Sequence, residues 1–223
     1  MHLSILILLL CCHSVFACNS FTTCHATTRI FLNGDDGSYS TDWSPGNYKA
    51  TCDNNYRVVA LSQRPYFNYL AHLRTAICGR GYETHPVLPH HYLYDVQELT
   101  NVVTFTSTNT NYNSRSTGDW HPTFVKTECT SGKFINGISH DPTTRAIKAI
   151  TCANGYGSYY QNQACEALEL QNNPGSAEWG LPQEWDPGFW RVNCAGNATH
   201  NMAMVGVSVD SNGWARKVLC CTK

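Results

Sequence analysis

The stretch that decides the fold spans residues 119–152 and reads DWHPTFVKTECTSGKFINGISHDPTTRAIKAITC. A tryptophan precedes the first cysteine by nine positions, an apolar run then ends in a serine, and a basic residue stands four positions before the closing cysteine. These residues are Trp120, Cys129, Ser139, Lys148 and Cys152. The apolar run and the closing segment have the composition of β-strands, so this stretch is predicted to be strand-rich.

The same pattern occurs once before this stretch and once after it. The first copy contains Trp43, Cys52, Ser62, Arg74 and Cys78, and the last contains Trp185, Cys194, Ser208, Arg216 and Cys220. In the last copy the serine lies farther from the first cysteine, which indicates a four-residue insertion around residues 196–200. We number the copies units one, two and three. A recurrent unit of this kind is typical of repeats that bury a shared core.

Each unit contains two strand-like segments, such as KFINGIS and RAIKAITC in unit two. We expect one antiparallel hairpin per unit, its strands joined by a disulfide and preceded by the tryptophan-led strand. Because an isolated hairpin is only marginally stable, three hairpins should meet about a pseudo-threefold axis. The predicted fold class is an all-β, disulfide-stapled single domain of three pseudo-repeats around a shared core. Residues 102–106 predict a further strand, and residues 165–170 are the best helix candidate.

The N-terminus has the features of a secretory signal peptide over residues 1–17. An apolar run from Leu3 to Leu10 precedes Val15-Phe16-Ala17, which fits a cleavage site. The run is shorter than the ~20 residues of a membrane helix. We therefore expect a secreted, extracellular protein without a membrane span. An N-terminal segment, 18–41, precedes a domain, 42–221, with repeats at about 42–78, 119–152 and 165–221.

Cysteine usage agrees with export. The chain has 12 cysteines, and removal of Cys11 and Cys12 with the signal leaves ten. An even number of cysteines in a secreted chain predicts a disulfide framework, and no motif indicates a reactive thiol. The predicted pairs are Cys52–Cys78, Cys129–Cys152, Cys194–Cys220, Cys165–Cys221 and Cys18–Cys24.

The charge balance excludes some partners. The chain has 15 basic and 16 acidic residues, and only 14% of its residues are charged, against about 25% in typical domains. No basic cluster predicts nucleic-acid binding, and no motif predicts a cofactor. A surface rich in Asn, Thr, Ser and Tyr suits polar contacts with sugars or matrix proteins.

In these motifs the chain resembles the dermatopontin family, whose repeat also runs from a tryptophan and a first cysteine to a serine, a basic residue and a closing cysteine. The matching segments begin DWSPGNYKATC, DWHPTFVKTEC and EWDPGFWRVNC. Cys165 resembles the cysteine that opens a family repeat, and Cys220-Cys221 resembles the family's double-cysteine ending. The resemblance covers about residues 42–221. The closing strands lack the family's Asp-Arg and alternating aromatics, so the chain resembles a divergent member.

The resemblance implies a secreted, non-catalytic protein that binds extracellular matrix proteins or cell-surface glycans by multivalent display. Two alternatives remain open: a secreted defence lectin, haemagglutinin or toxin, and a secreted hydrolase. The hydrolase would use carboxylates among Glu178, Glu184 and Asp186, since glycosidases need two. No G-x-S-x-G, H-E-x-x-H or phosphate loop supports an enzyme.

Candidate sites are few. Asn197, in the sequence Asn-Ala-Thr, is a glycosylation acceptor on the inserted loop. Trp179 and Trp190 are candidates for glycan stacking, although tryptophan more often supplies buried area. Asp141 and Asp210, two positions after the repeat serine, are interpreted as turn caps or as a repeated ligand-binding group, and unit one has Arg64 at that position.

No metal site is expected. The histidines His85, His90 and His91 lack a thiolate or carboxylate that would complete a zinc or copper site. The run Asn33-Gly34-Asp35-Asp36-Gly37 offers oxygen ligands for calcium but lacks the distal glutamate of an EF-hand loop.

Overall fold

The computed structural model describes residues 27–31, 42–52, 56–64, 73–79, 82–83, 91–92, 99–105, 119–130, 132–154, 164–172, 188–194 and 202–221. Within these ranges every regular element is a β-strand, which confirms the all-β prediction. The strands are β1 (Thr27–Phe31), β2 (Tyr48–Thr51), β3 (Arg57–Gln63), β4 (Leu73–Gly79), β5 (Tyr82–Glu83), β6 (His91–Tyr92), β7 (Leu99–Thr104), β8 (Val125–Glu128), β9 (Lys133–His140), β10 (Ile147–Asn154), β11 (Cys165–Glu169), β12 (Gln171–Asn172), β13 (Trp190–Asn193), β14 (Ala203–Val209) and β15 (Ala215–Cys221).

Three sheets share one strand order. Their orders are β1-β4-β3-β13, β7-β10-β9-β2 and β11-β15-β14-β8, with β12 beyond β13 in the first and β5–β6 as a separate pair. Each sheet is centred on one of the predicted antiparallel hairpins: β3–β4, β9–β10 or β14–β15. A strand that comes before the tryptophan-led strand in the chain pairs with the closing strand of each hairpin. A short tryptophan-led strand pairs with the first strand of the hairpin.

The tryptophan-led strands are exchanged between units. Strand β2 of unit one pairs with β9 of unit two, β8 of unit two pairs with β14 of unit three, and β13 of unit three pairs with β3 of unit one. The exchange therefore closes a ring. It leaves no first hairpin strand as an open sheet edge, and open edges are prone to aberrant pairing.

Among the residues that the structure describes, four disulfides are formed: Cys52–Cys78, Cys129–Cys152, Cys165–Cys221 and Cys194–Cys220. These are the pairs that the sequence predicts, and Cys18 and Cys24 lie outside the described residues. The expectation that the bridges join the two strands of each hairpin is wrong. The first cysteine follows the tryptophan-led strand, and its backbone N–H continues the ladder of the next sheet; for example, Cys52 N–H donates to Asn136 O. Three bridges therefore connect the three sheets in a ring, and Cys165–Cys221 joins neighbouring strands of one sheet.

The core lies where the first hairpin strands meet. Strands β3, β9 and β14 contact one another in all three pairings, and nearly every residue in them is buried. One cluster includes Leu61, Ile138 and Val207, one residue from each strand, together with the half-cystines of the sheet-connecting bridges. Burial on both faces explains why apolar residues follow one another directly in these strands, as from Val58 to Leu61 in β3, rather than alternating with polar ones.

Two elements differ from the sequence predictions. Residues 165–170, the helix candidate, form β11 and the residue after it. The segment Glu-Ala-Leu-Glu favours a helix, but its pairing with β15 through Cys165 and Cys221 overrides that weak local preference. The strand predicted at 102–106 exists but spans Leu99–Thr104. The described part of the chain contains no helix with the length and apolarity needed to cross a membrane.

Candidate binding site

Two equivalent segments, one leading into β2 and one leading into β8, are each held by a buried lysine. Lys49 Nζ lies 2.8 Å from Asp42 Oδ1, and Lys126 Nζ lies 2.9 Å from Asp119 Oδ1. The lysine side chains are 2% and 1% exposed, whereas the carboxylates are 43% and 37% exposed. Hydrogen bonds from the lysines lower the pKa values of Asp42 and Asp119. Each ammonium group also donates to backbone oxygens of its own segment, which fixes the path of the chain.

The tryptophan side chains anchor the same segments. Trp43 Nε1–H donates to Thr51 Oγ1 at 3.1 Å, and Trp120 Nε1–H donates to the carboxylate of Glu128. Thr51 and Glu128 lie opposite glycines, Gly137 and Gly206, of the neighbouring hairpins. The glycines allow the tryptophan-led strands to lie close to these hairpins, which is the close approach that a strand glycine indicates.

The repeat serines join neighbouring units. Ser44 Oγ–H donates to Ser139 Oγ at 2.8 Å, and His121 Nδ1 lies 2.6 Å from Ser208 Oγ. Ser139 and Ser208 are completely buried. Ser208 Oγ also accepts the backbone N–H of Lys217 at 3.1 Å. These hydroxyls are therefore structural hydrogen-bonding groups and not accessible nucleophiles.

Asp141 and Asp210 cap the turns of their hairpins, as one sequence interpretation predicts. Asp141 Oδ1 accepts the backbone N–H groups of Thr143 and Thr144, both at 2.8 Å. These bonds, followed by Lys148, lower the pKa of Asp141 to about 2. Asp210 Oδ1 accepts two backbone N–H groups in the same way, and its Oδ2 accepts two hydrogen bonds from Arg216.

The basic residue four positions before the closing cysteine has a defined partner in each unit. Lys148 Nζ lies 3.4 Å from Asp141 Oδ2, and Arg216 Nη2 lies 2.6 Å from Asp210 Oδ2. Unit one has no aspartate at this turn, and the guanidinium of Arg74 lies 4.9 Å from the ring centroid of Phe189 instead.

A pocket of about 1130 Å³ lies between units two and three. Its walls come from the segment before β8, the turn between β14 and β15, the start of β10, and the end of β11. This volume is slightly above the range of about 300–1,000 Å³ that is typical of small-molecule sites. The aromatic side chains that line it are Phe105, His121, Phe124 and Trp190.

The aromatic wall combines core residues with a stacked pair. The rings of His121 and Phe124 are 3.8 Å apart and nearly parallel, with an interplanar angle of 11°. Phe105 and Trp190 are half-buried and pack against the main core. Trp190, a predicted glycan-stacking residue, therefore lies in the pocket wall, while Trp179 lies outside the described residues.

The charged groups of the pocket occur in ion pairs. Lys217 Nζ lies 3.1 Å from Glu169 Oε1, and the Lys148 and Arg216 pairs described above complete the set. Burial, followed by repulsion from Lys217 and Lys126, lowers the pKa of His121, which favours the neutral imidazole. The three cations that line the pocket are thus matched by two lining carboxylates, Asp210 and Glu169, and by Asp141 beside the pocket.

The sequence does not identify most of this pocket. His121, Phe124 and Lys217 follow no spacing pattern that indicates a ligand, and only the aromatic character of the segments after Trp120 and Trp185 gives a signal. Several predicted site residues lie outside the described residues: Asn197, Glu178, Glu184, Asp186, His85, His90 and Asn33 to Gly37. His91 pairs with Glu83 in the small β5–β6 sheet. Among the described residues, no group of three or more metal-binding side chains is present.

Comparison with protein-family models, curated proteins and solved structures finds no match for the chain.

Proposed function

We propose that this chain is a secreted, non-enzymatic adhesion protein that binds extracellular glycans, on matrix components or cell surfaces, through the pocket between units two and three. The observation that carries the proposal is the pocket itself, in which Trp190 and Phe124 lie beside paired donors and acceptors. Sugar-binding sites need aromatic faces for the C–H faces of the rings and convergent polar groups for the hydroxyls. A flat protein-binding surface would not need aromatic and polar groups gathered in one concave pocket.

The proposed architecture is three pseudo-repeats. The identical strand order of the three sheets and the cyclic exchange of tryptophan-led strands support it. Strands β1 and β7 occupy the same sheet position as β11, so we extend units one and two backwards to include them. We also propose that these repeats are of the dermatopontin type, and the sequence motifs support this part of the proposal.

Secretion is supported by the disulfides. Four bridges, three of them connecting different sheets, would not persist in a reducing cytosol. The N-terminal apolar run with its cleavage-site pattern supplies the export route.

A non-catalytic role is supported by the state of the reactive groups. The hydroxyl of Ser208 is buried and hydrogen-bonded, and Asp210 holds a turn and a guanidinium with both oxygens.

The proposal is tested by binding of the purified secreted protein to a glycan array, to collagen and to proteoglycan. We expect glycan binding, and we expect Trp190→Ala to weaken it about tenfold, which is a loss of ~1.4 kcal/mol. Tyr48→Ala is the matched control, because Tyr48 occupies the same position after the tryptophan of unit one but lies outside the pocket. Absence of binding to any glycan, or equal effects of the two variants, would overturn the proposal.

A second candidate is a defence lectin that agglutinates cells. It is favoured by an aromatic residue at another unit junction, where Phe189 lies near Arg74. Agglutination needs at least two sites in one particle. Haemagglutination that a free sugar inhibits would favour this candidate, and glycan binding without agglutination would favour matrix adhesion.

A further inference from the structure

We infer that the ligand of this pocket is an uncharged saccharide rather than a sulfated or sialylated one. This inference rests on the proposed function, and it names the chemical class that the site would select.

The cations of the pocket are already neutralised. Lys148, Arg216 and Lys217 line it, and each lies within 3.4 Å of a carboxylate. An anionic ligand would have to displace these carboxylates or be repelled by them. Burial lowers the pKa of His121, which disfavours a positive charge on its imidazole.

Two of the three carboxylates cannot be released. Asp141 and Asp210 each cap a hairpin turn through two backbone N–H groups. Arg216 also makes two hydrogen bonds to one oxygen of Asp210. An anionic group could therefore displace Asp141 or Asp210 only if a turn lost its cap, and an N–H left without a partner is costly. An anion that drew Lys148 or Arg216 towards itself would instead remain close to a fixed carboxylate, which would repel it.

Lys217 and Glu169 are the adaptable pair. Their side chains are 24% and 62% exposed, and both line the pocket. A sugar hydroxyl donates one hydrogen bond and accepts others, so adjacent hydroxyls can accept from Lys217 Nζ while donating to Glu169. Stacking of the sugar ring on Phe124 or Trp190 would supply the apolar part of the contact.

The test uses an array that contains neutral oligosaccharides ending in glucose, galactose or mannose, together with heparin fragments and sialylated glycans. We expect binding to a neutral member that changes less than about twofold between ~50 and ~500 mM NaCl, because no net charge is exchanged. Binding that is confined to heparin or sialylated glycans and falls steeply with salt would overturn the inference while the proposed function stood. Absence of binding to any glycan would overturn both.

Glu169→Gln separates the two ligand classes by the sign of its effect. For a neutral saccharide we expect about fivefold weaker binding, because the amide is a poorer acceptor than the carboxylate. For an anionic ligand the same change would strengthen binding by exposing the charge of Lys217. Glu166→Gln on the same strand is the matched control, since Glu166 is exposed, lies outside the pocket and changes the net charge equally.

Discussion

Ser44 Oγ–H donates a hydrogen bond to Ser139 Oγ at 2.8 Å, although the two residues are 95 positions apart in the chain. Ser139 in turn donates to the carbonyl oxygen of Ala149 at 3.4 Å. Both serines are buried. The contact connects the tryptophan-led segment of unit one to the hairpin of unit two, so it reports on the exchange of strands between units.

Removal of this hydroxyl should weaken the junction. Ser139→Ala leaves Ser44 Oγ without its acceptor in a buried site, and we expect the free energy of unfolding to fall by about 1–3 kcal/mol. Chemical denaturation of the oxidised protein measures the change. Ser211→Ala, at an exposed turn position, is the control and should leave the midpoint unchanged. Equal midpoints for the two variants would contradict a structural role for the serine pair.

The glycine of β9 should tolerate no side chain. A Cβ at Gly137 would lie 2.5 Å from Thr151 Oγ1 and 3.1 Å from the carbonyl oxygen of Ala50. Since Ala50 lies in the exchanged strand β2, relief of the clash would push that strand off the sheet. We expect Gly137→Ala to destabilise the protein by about 1–3 kcal/mol, measured by thermal or chemical unfolding. Unit one has Ala60 at the corresponding position, so Ala60→Gly should cost less; the reverse ranking would contradict this account.

The sequence predicts the local part of this architecture well. Repeated spacings indicate the three hairpins, and the register of the repeats indicates three of the four described bridges. The exchange of β2, β8 and β13 between units could not be predicted, because the alternation of a four-residue strand is compatible with either neighbouring hairpin. The partner of each of these short strands is decided by the tertiary structure, that is, by which sheet edge is available beside it in the folded core.

The pocket shows the same limit. Trp190 can be identified as a candidate from its aromatic, turn-rich surroundings. His121 and Lys217, however, belong to different units and meet only through the pairing of β8 with β14. Glu169 and Leu170 reach the pocket because residues 165–169 form a strand that Leu170 follows. The helix propensity of this segment favours a helix, so the sequence does not predict their position. Residues that converge through exchanged strands leave no spacing signal in the chain.

The junction around His121 should make stability pH-dependent. The pKa of His121 in the folded protein lies below its value in the unfolded chain, chiefly because of burial. As pH falls through ~6.5, the unfolded chain therefore takes up the proton first, and stability declines until the pH is below the folded pKa. The charged groups that influence it are Lys217, Lys126, Glu169 and Asp119.

His121→Ser should remove this part of the pH dependence. Serine is suitable because Ser44 occupies the equivalent position and also bonds a repeat serine. Unfolding free energies of the two proteins between about pH 5 and 8 provide the measurement. We expect the unfolding free energies of the wild type and the variant to converge towards acid pH. Only the wild type has an imidazole at this position, so only the wild type loses stability when that group is protonated. Parallel curves would show that His121 does not titrate differently on folding.

The ion pair of Lys126 should respond unequally to removal of its two members. Asp119→Asn leaves the ammonium of Lys126, which is 1% exposed, without its counter-ion. Loss of a partner costs ~3–5 kcal/mol in a fully buried pair, and the partial exposure of Asp119 reduces the expected loss to about 1–2 kcal/mol. Lys126→Met keeps the apolar stem and leaves only a solvated carboxylate, so it should cost less. Chemical denaturation ranks the two variants, and a larger loss for Lys126→Met would contradict the prediction that the uncompensated buried ammonium is the costlier state.

The bridge between Cys165 and Cys221 should control the pocket rather than the global fold. These residues lie directly opposite each other in β11 and β15, within one sheet, whereas the other three described bridges connect different sheets. Strand β11 is the outer strand of its sheet, and its far end places Glu169 and Leu170 in the pocket wall.

The double variant Cys165→Ser with Cys221→Ser should therefore retain a cooperative unfolding transition while weakening glycan binding. Hydrogen exchange should show lost protection that is concentrated in β11. The matched variant Cys129→Ser with Cys152→Ser removes a connection between two sheets and should lower the unfolding midpoint more. If the Cys165–Cys221 variant unfolds as early as the matched variant, or binds glycan as tightly as the native protein, this division of roles is wrong.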